Sequence, residues 1–261
     1  MPAPHPFLAH PGVLAFAHRG GGEPTENSMA AFERAVGLGY RYLETDVRAS
    51  RDGQLVVFHD ATLDRLSEHT GPIEAQPWSR LARVGLRGGG RIPLLEDLLG
   101  TWPHVRVNVD VKSPAAIAPL VAVLRRTRTL DRVCVASFSE RRLAAIRRRV
   151  GSQLCTSLGP VGVTALVASA AARVPLRLTP LGPRGRLPAA CVQVPESAGP
   201  VRVVTRRFVH TAHRLGLQVH VWVVDAADEM HRLLDLGVDG LVSTQLETLR
   251  GVLTARGLWA A

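Results

Sequence analysis

The chain has 261 residues, 32 basic against 22 acidic side chains, and 46% hydrophobic content. That length leaves room for one large domain or two small ones. The apolar share, with 24 Gly and 18 Pro spread along the chain, excludes a disordered or fibrous protein. A formal net charge of +10 raises nucleic acid or an anionic surface as a partner. Yet 31 of the 32 basic residues are scattered arginines and aromatics make up only 5%, which argues against a platform for stacking bases. Lys112 is the one lysine. No apolar run approaches the roughly 20 residues of a membrane span, so no stable membrane insertion is expected. Residues 1–12 show neither the basic nor the apolar region of a secretory leader. Cys134, Cys155 and Cys191 lie far apart in apolar stretches. They read as small core residues of a reducing, cytoplasmic setting, with neither a disulfide framework nor a zinc site predicted.

In chain order the predicted strands are Leu14–His18, Tyr42–Asp46, Val105–Val111, Val133–Phe138, Leu154–Leu158, Ala190–Val194, Val219–Val224 and Gly240–Ser243. Predicted helices fill most of the gaps: Asn27–Leu38, Pro114–Arg126, Glu140–Val150, Val161–Ala171, Thr205–Leu215, Ala226–Leu236 and Leu246–Ala255. Ser113 before Pro114 reads as a helix cap with proline at the first helical position. Strand–helix alternation predicts a parallel sheet. Eight such units in about 250 residues predict an α/β fold, a closed (β/α)8 TIM-type barrel. The expected single catalytic domain spans residues 1–261, with a core of about 12–257. A doubly wound open sheet is the runner-up. Its usual G-x-G-x-x-G spacing is not met by His18-Arg19-Gly20-Gly21-Gly22.

One extra strand, Gln54–His59, follows Tyr42–Val47 too closely for a crossover helix. Asp52-Gly53 between them is a strong hairpin signal. Read as a two-residue turn, it places Asp46 opposite His59 on one face. Residues 60–102 then form a long excursion, with a helix near Pro93–Leu99.

Active sites of such barrels lie at the C-terminal ends of the strands. Those ends carry His18-Arg19, then Glu44-x-Asp46 on one face, then His59 from the hairpin. In Arg106-Val-Asn108-Val-Asp110-Val-Lys112 the polar residues share the face opposite the valines, so Asn108, Asp110 and Lys112 should point into a polar barrel mouth. Trp222 and His220 share a face of the seventh barrel strand, and His220 reads as structural. Three neighbouring carboxylates repel one another unless a cation is present, and oxygen ligands suit Mg2+ or Ca2+. Two histidines beside a cation can act as general base and general acid. Arg19 and Lys112 would neutralise a phosphoryl group. The residues thus read as a metal-assisted phosphate-ester hydrolase.

Ala17-His18-Arg19-Gly20, Pro24-Thr25-Glu26-Asn27-Ser28, Glu44-Thr45-Asp46-Val47, Val57-Phe58-His59-Asp60 and Asp110-Val-Lys112 occur in that order. Together with Ala136-Ser137-Phe138, Val221-Trp222-Val223 and Val238-Asp239-Gly240-Leu241, this set resembles the glycerophosphodiester phosphodiesterase family. The resemblance implies a barrel enzyme cleaving small-molecule glycerophosphodiesters to glycerol 3-phosphate and an alcohol with a divalent metal. It implies Glu44, Asp46 and Asp110 as metal ligands, His18 and His59 as the acid/base pair, Arg19 and Lys112 on phosphate, and Trp222 lining the pocket. The chain departs from the family pattern at Asp110, where the family usually has Glu. It also departs at Thr25, within the usual Pro-Glu-Asn run, and at Gln245, where Asp is usual. Two other readings are a lysophospholipid or sphingolipid phosphodiesterase of phospholipase D type and a non-catalytic phosphate-ester sensor. A nucleic-acid binder ranks last, because the basic residues form no continuous stripe in the sequence.

Overall fold

A computed structural model describes residues 5–172 and 187–260. Strands β1 (Leu14–His18), β2 (Tyr42–Ala49), β3 (Leu55–Val57), β4 (Arg106–Val111), β5 (Val133–Ala136), β6 (Cys155–Thr156) and β7 (Cys191–Pro195) are followed by four more. These are the small ribbon β8 (Ser197–Ala198) and β9 (Val201–Arg202), then β10 (Gln218–Trp222) and β11 (Gly240–Ser243). Eight of the strands are parallel neighbours in the order β6-β5-β4-β2-β1-β11-β10-β7. A parallel bridge between Ser157 and Cys191 brings the two ends together. The Leu158 amide donates to the Cys191 carbonyl at 2.8 Å across that seam. The α/β architecture is therefore a nearly closed TIM-type barrel, as the alternation predicts.

The helices are α1 (Met29–Gly37), α2 (Trp78–Leu81), α3 (Leu95–Thr101), α4 (Ile117–Thr127), α5 (Glu140–Val150), α6 (Pro160–Ala172), α7 (Arg206–Arg214), α8 (Ala227–Asp235) and α9 (Leu246–Ala255). Ser28, Ser139 and Thr205 cap α1, α5 and α7, each hydroxyl accepting an amide N–H of the first turn. Ser113 does not cap. Pro114–Ala116 forms a 3-10 turn there, and the buried Ser113 hydroxyl has no hydrogen-bond partner. Between the barrel and its helices lie outward-facing residues such as Val107, Val109 and Val111 of β4, all essentially inaccessible. Each such side chain contributes about 1.5–3 kcal/mol on burial.

The hairpin β2–β3 forms, with a register one residue from expectation. Val47 pairs with Val57 and Ala49 with Leu55, and the Phe58 amide donates to the Asp46 carbonyl. The loop is three residues, Arg51-Asp52-Gly53, with Gly53 at φ +82°. The Ser50 hydroxyl accepts from the Gln54 amide and donates to Asp52, which fixes this longer turn. Phe58 consequently enters a satellite apolar cluster with Val56, Leu63 and Ile73, while His59 lies past the strand end. The excursion helix forms at Leu95–Thr101, slightly later than predicted.

The barrel interior is layered, because alternate residues of each strand point inward. Phe7, from a 3-10 turn at Pro6–Leu8, packs at the bottom with Leu14, Phe16 and Tyr42. In the middle Asn108 and Gln193 exchange two hydrogen bonds, at 3.3 and 3.0 Å. The buried His220 sits beside Gln193. Asn108 therefore reaches the cavity floor as half of a cross-barrel amide pair. The polar groups of the mouth lie above that layer.

Candidate active site

A cavity of about 400 Å3 opens at the C-terminal ends of the barrel strands. His18, Arg19, Glu44, Asp46, His59, Asp110, Lys112 and Trp222 all line it. The sequence-predicted residues are thus brought together without exception. His59 arrives despite the shifted register because it lies beyond the paired part of β3.

Asp46 is the hub. One oxygen accepts from Lys112 Nζ at 2.8 Å, and the other faces Arg19 Nε at 2.9 Å and Asn27 Nδ2 at 3.2 Å. Burial alone would raise its pKa, but Lys112 and Arg19 overcome that and hold the carboxyl below its usual range. Lys112 also donates to Asp110 Oδ2 at 2.7 Å. Burial opposes its charge, yet Asp46 and Asp110 keep the ammonium pKa above its ordinary value.

Backbone geometry holds the hub in place. Arg19 and Asn27 both adopt left-handed conformations, φ 54° and 57°, unusual for residues with a side chain. The Arg19 amide donates to the Glu44 carbonyl and the Asn27 amide to the Arg19 carbonyl, at 2.9 and 2.8 Å. Between them Gly20 lies so close to α1 that a Cβ would come within 2.8 Å of backbone atoms of Ala31 and Phe32. Glycine is required there.

The remaining two carboxylates are under-compensated. Glu44 Oε2 and Asp110 Oδ1 are buried with no hydrogen-bond partner; Glu44 Oε2 lies 3.6 Å from His18 Nε2. Burial, then the neighbouring Asp46, pushes the Glu44 carboxyl well above its ordinary range. Burial also raises Asp110 against the pull of Lys112. Three carboxylates face two fixed cations, and two of their oxygens are orphaned. Hard oxygen donors left short of positive charge are the kind that suit a divalent cation.

The two histidines have different surroundings. Burial, then the adjacent Arg19, lowers the His18 pKa to about 4, so its ring is neutral near pH 7. Its Nδ1 is buried and unpartnered. His59 Nδ1 lies 2.6 Å from Asp60 Oδ1. Burial opposes the Asp60 charge, but hydrogen bonds from Arg65 and His59 hold its pKa at about 2. An ionised carboxylate only accepts, so His59 Nδ1 is the donor and Nε2 is left for chemistry. Arg65 in turn binds Asp60, Glu23 and Glu26, and Glu26 accepts from Arg19. A continuous ionic chain thus runs from His59 to Asp46.

The lowered His18 pKa carries a signed prediction. The folded value, about 4, lies below the ordinary 6.5. The neutral ring's contribution to stability is therefore complete above pH 6.5 and is lost as pH falls from there to about 4. It amounts to ~3 kcal/mol. In chelator, wild type should lose more stability across that window than His18→Ala, measured by urea unfolding at stepped pH. Parallel curves for the two proteins contradict it.

The opposite wall is apolar. Leu158, Pro160, Val163, Val194, Pro195 and Trp222 line it, and the exposed Phe138 packs edge-on against Trp222 at 5.6 Å. Phe138, Asn27, Asp60 and Arg65 were not singled out from sequence as site residues. Arg65 reaches Glu26 across 39 positions, and no local signal predicts such a contact. Glu26 braces Arg19.

Fold and mouth together define a barrel enzyme of the α/β class. The chain belongs to the glycerophosphoryl diester phosphodiesterase family, whose model matches residues 18–248. It is 42% identical over 255 residues to the Mycobacterium tuberculosis protein named "Probable glycerophosphodiester phosphodiesterase 2", covering 97% of this chain and 95% of that one. Solved structures share the fold. The glycerophosphoryl diester phosphodiesterase domain of another Mycobacterium tuberculosis protein superposes with TM-score 0.78 at 18% identity, covering 94% of this chain and 99% of that domain. An Oleispira antarctica phosphodiesterase in complex with the product sn-glycerol-3-phosphate superposes with TM-score 0.74 at 19% identity, covering 93% and 97% of the two chains. The chain is accordingly an enzyme, a phosphoric diester hydrolase. Among the described residues no helix is long and apolar enough to cross a membrane.

Proposed function

We propose that this barrel acts as a single catalytic domain, hydrolysing glycerophosphodiesters to glycerol 3-phosphate and an alcohol by proton transfer between His18, His59 and the substrate. The observation that carries the reading is the one cavity lined by both histidines, three carboxylates, Arg19 and Lys112. The glycerol-3-phosphate complex of the Oleispira antarctica phosphodiesterase supports the product assignment.

Glu44, Asp46 and Asp110 are the residues suited to hold a divalent cation, Mg2+ or Ca2+, which would supply positive charge at a phosphoryl oxygen and acidify a neighbouring hydroxyl. Lys112 uses two of its three N–H donors on Asp46 and Asp110, leaving one for a phosphate oxygen. Arg19 adds a guanidinium on the same side. His18, neutral and with a free ring nitrogen, is equipped to take a proton. His59, oriented by Asp60, presents Nε2 for transfer at the other reacting oxygen. Trp222 and the apolar wall shape the space for the alcohol. The cysteines, all free, support a cytoplasmic setting.

The apolar wall favours a second reading, in which a lysophospholipid's acyl chain lies against Trp222 and Phe138. Product analysis separates the two. Incubation with glycerophosphocholine or glycerophosphoethanolamine should release glycerol 3-phosphate and the free alcohol, with lower kcat/KM on acylated substrates. Release of glycerol with phosphocholine contradicts the proposed bond cleavage, and preference for lysophospholipids selects the second reading.

A further inference from the structure

The three cysteines of this chain, at positions 134, 155 and 191, converge inside the barrel. They occupy inward positions on β5, β6 and β7, with Cys134 and Cys155 directly in register. Their Sγ atoms all lie within 4.8 Å of one another, and Cys134 and Cys191 are 3.9 Å apart. Each is at most 1% exposed. This cluster lies among Phe7, Phe16 and Tyr42, below the Asn108–Gln193 pair, and outside the machinery of the mouth. An apolar layer of this size needs only small side chains, and alanine or valine would serve. Three thiols facing one point supply something more specific.

A cation bonded to sulfur at about 2.3 Å in a trigonal plane requires sulfurs about 4.0 Å apart. The Cys134–Cys191 separation of 3.9 Å lies at that value, and the other two do not exceed 4.8 Å. Thiolates are soft ligands, and they select Cu+ or Zn2+ over the hard cations suited to the carboxylates above. His220, fully buried on β10, holds its ring nitrogens against Gln193 and Gln218, so the three sulfurs are the ligand set. The Arg147 guanidinium, bonded to Thr156 and Ser157 at 3.0 and 2.7 Å, is close enough to respond to charge on Cys134 and Cys191. It would offset part of the negative charge of a tris-thiolate complex.

We infer that Cys134, Cys155 and Cys191 form a closed site for one thiophilic d10 cation, Cu+ or Zn2+, in the lower half of the barrel. Loading breaks three S–H bonds, forms three S–metal bonds and releases three protons to solvent. No oxidant or reductant is consumed.

The test titrates the purified reduced chain with Cu+ against a chromophoric competitor, and with Cd2+ as a probe whose ultraviolet charge-transfer band reports thiolate ligation. The hard-ligand mouth gives no such band. Both titrations are repeated after unfolding and refolding with the ion present, so that slow entry into a buried site cannot mask binding. One equivalent bound per chain, with all three thiols then protected from alkylation, is the expected result. Cys155→Ala should abolish the Cd2+ band and the one-equivalent Cu+ binding, while retaining phosphodiesterase turnover as proof that the barrel has folded. Should that variant not fold, Cys134→Ser and Cys191→Ser are read the same way. Absence of stoichiometric binding in refolded wild type, a band unchanged in the variants, or a Cys134–Cys191 disulfide in the purified chain each overturns the inference.

Discussion

His59→Ala and His18→Ala should each lower kcat by about 10²–10⁴ while leaving the barrel folded, the range expected when a positioned proton-transfer group is removed. The two variants should fail differently. His59 is about one-third exposed and sits at the rim with Asp60, so its loss removes little packing and leaves KM near that of wild type. His18 is largely buried beside Arg19 and Glu44. Its loss also changes the surroundings of the carboxylates, and a moderate increase in the cation concentration needed for activity is expected. Steady-state kinetics, with circular dichroism to verify folding, check both. Turnover within threefold of wild type in either variant removes that histidine from the mechanism.

Lys112→Met should be the most damaging single substitution for stability in the mouth. The ammonium lies 2.8 and 2.7 Å from two buried carboxylates, and removing one partner of a buried ion pair costs about 3–5 kcal/mol. Methionine keeps most of the volume, so the loss is electrostatic. Asp46 and Asp110 would then face each other with less compensating charge. Ca2+ or Mg2+ should therefore stabilise the variant more than wild type, as read from urea midpoints with and without the ion. Loss of the donor proposed to meet phosphate should also lower kcat by about 10²–10³. A variant as stable as wild type in chelator, with an unchanged response to cation, contradicts the charge arrangement described here.

Most of the mouth was legible in the sequence because barrel topology sends strand ends to a single place. Once His18, Glu44-x-Asp46 and Asp110-x-Lys112 are assigned to strand ends, their convergence follows from inward alternation alone. Strand bounds were clearest where an apolar run is short and sharply flanked. Leu14–His18 and Gly240–Ser243 form as predicted, whereas the Val133–Phe138 run stops at Ala136 and releases Phe138 to the rim. The hairpin register was not legible. Asp-Gly suits both a two-residue turn and a three-residue loop ending in a left-handed glycine, and the Ser50 hydroxyl bonds decide between them. Contacts between distant surface loops, such as Arg65 with Glu26, have no periodic signal. The cysteines were invisible as a group for a related reason. Spacings of 21 and 36 residues acquire meaning only when the register of three strands is known.

The central claim is that charge-deficient carboxylates at the barrel mouth work with a divalent cation on a glycerophosphodiester. The direct measurement is release of glycerol 3-phosphate from glycerophosphoethanolamine by protein stripped with chelator, then supplied separately with Mg2+ and Ca2+. The account predicts turnover reduced to background in chelator and restored by at least one of the two ions, with no restoration in Glu44→Gln. Full turnover in chelator, or restoration in Glu44→Gln equal to wild type, contradicts it.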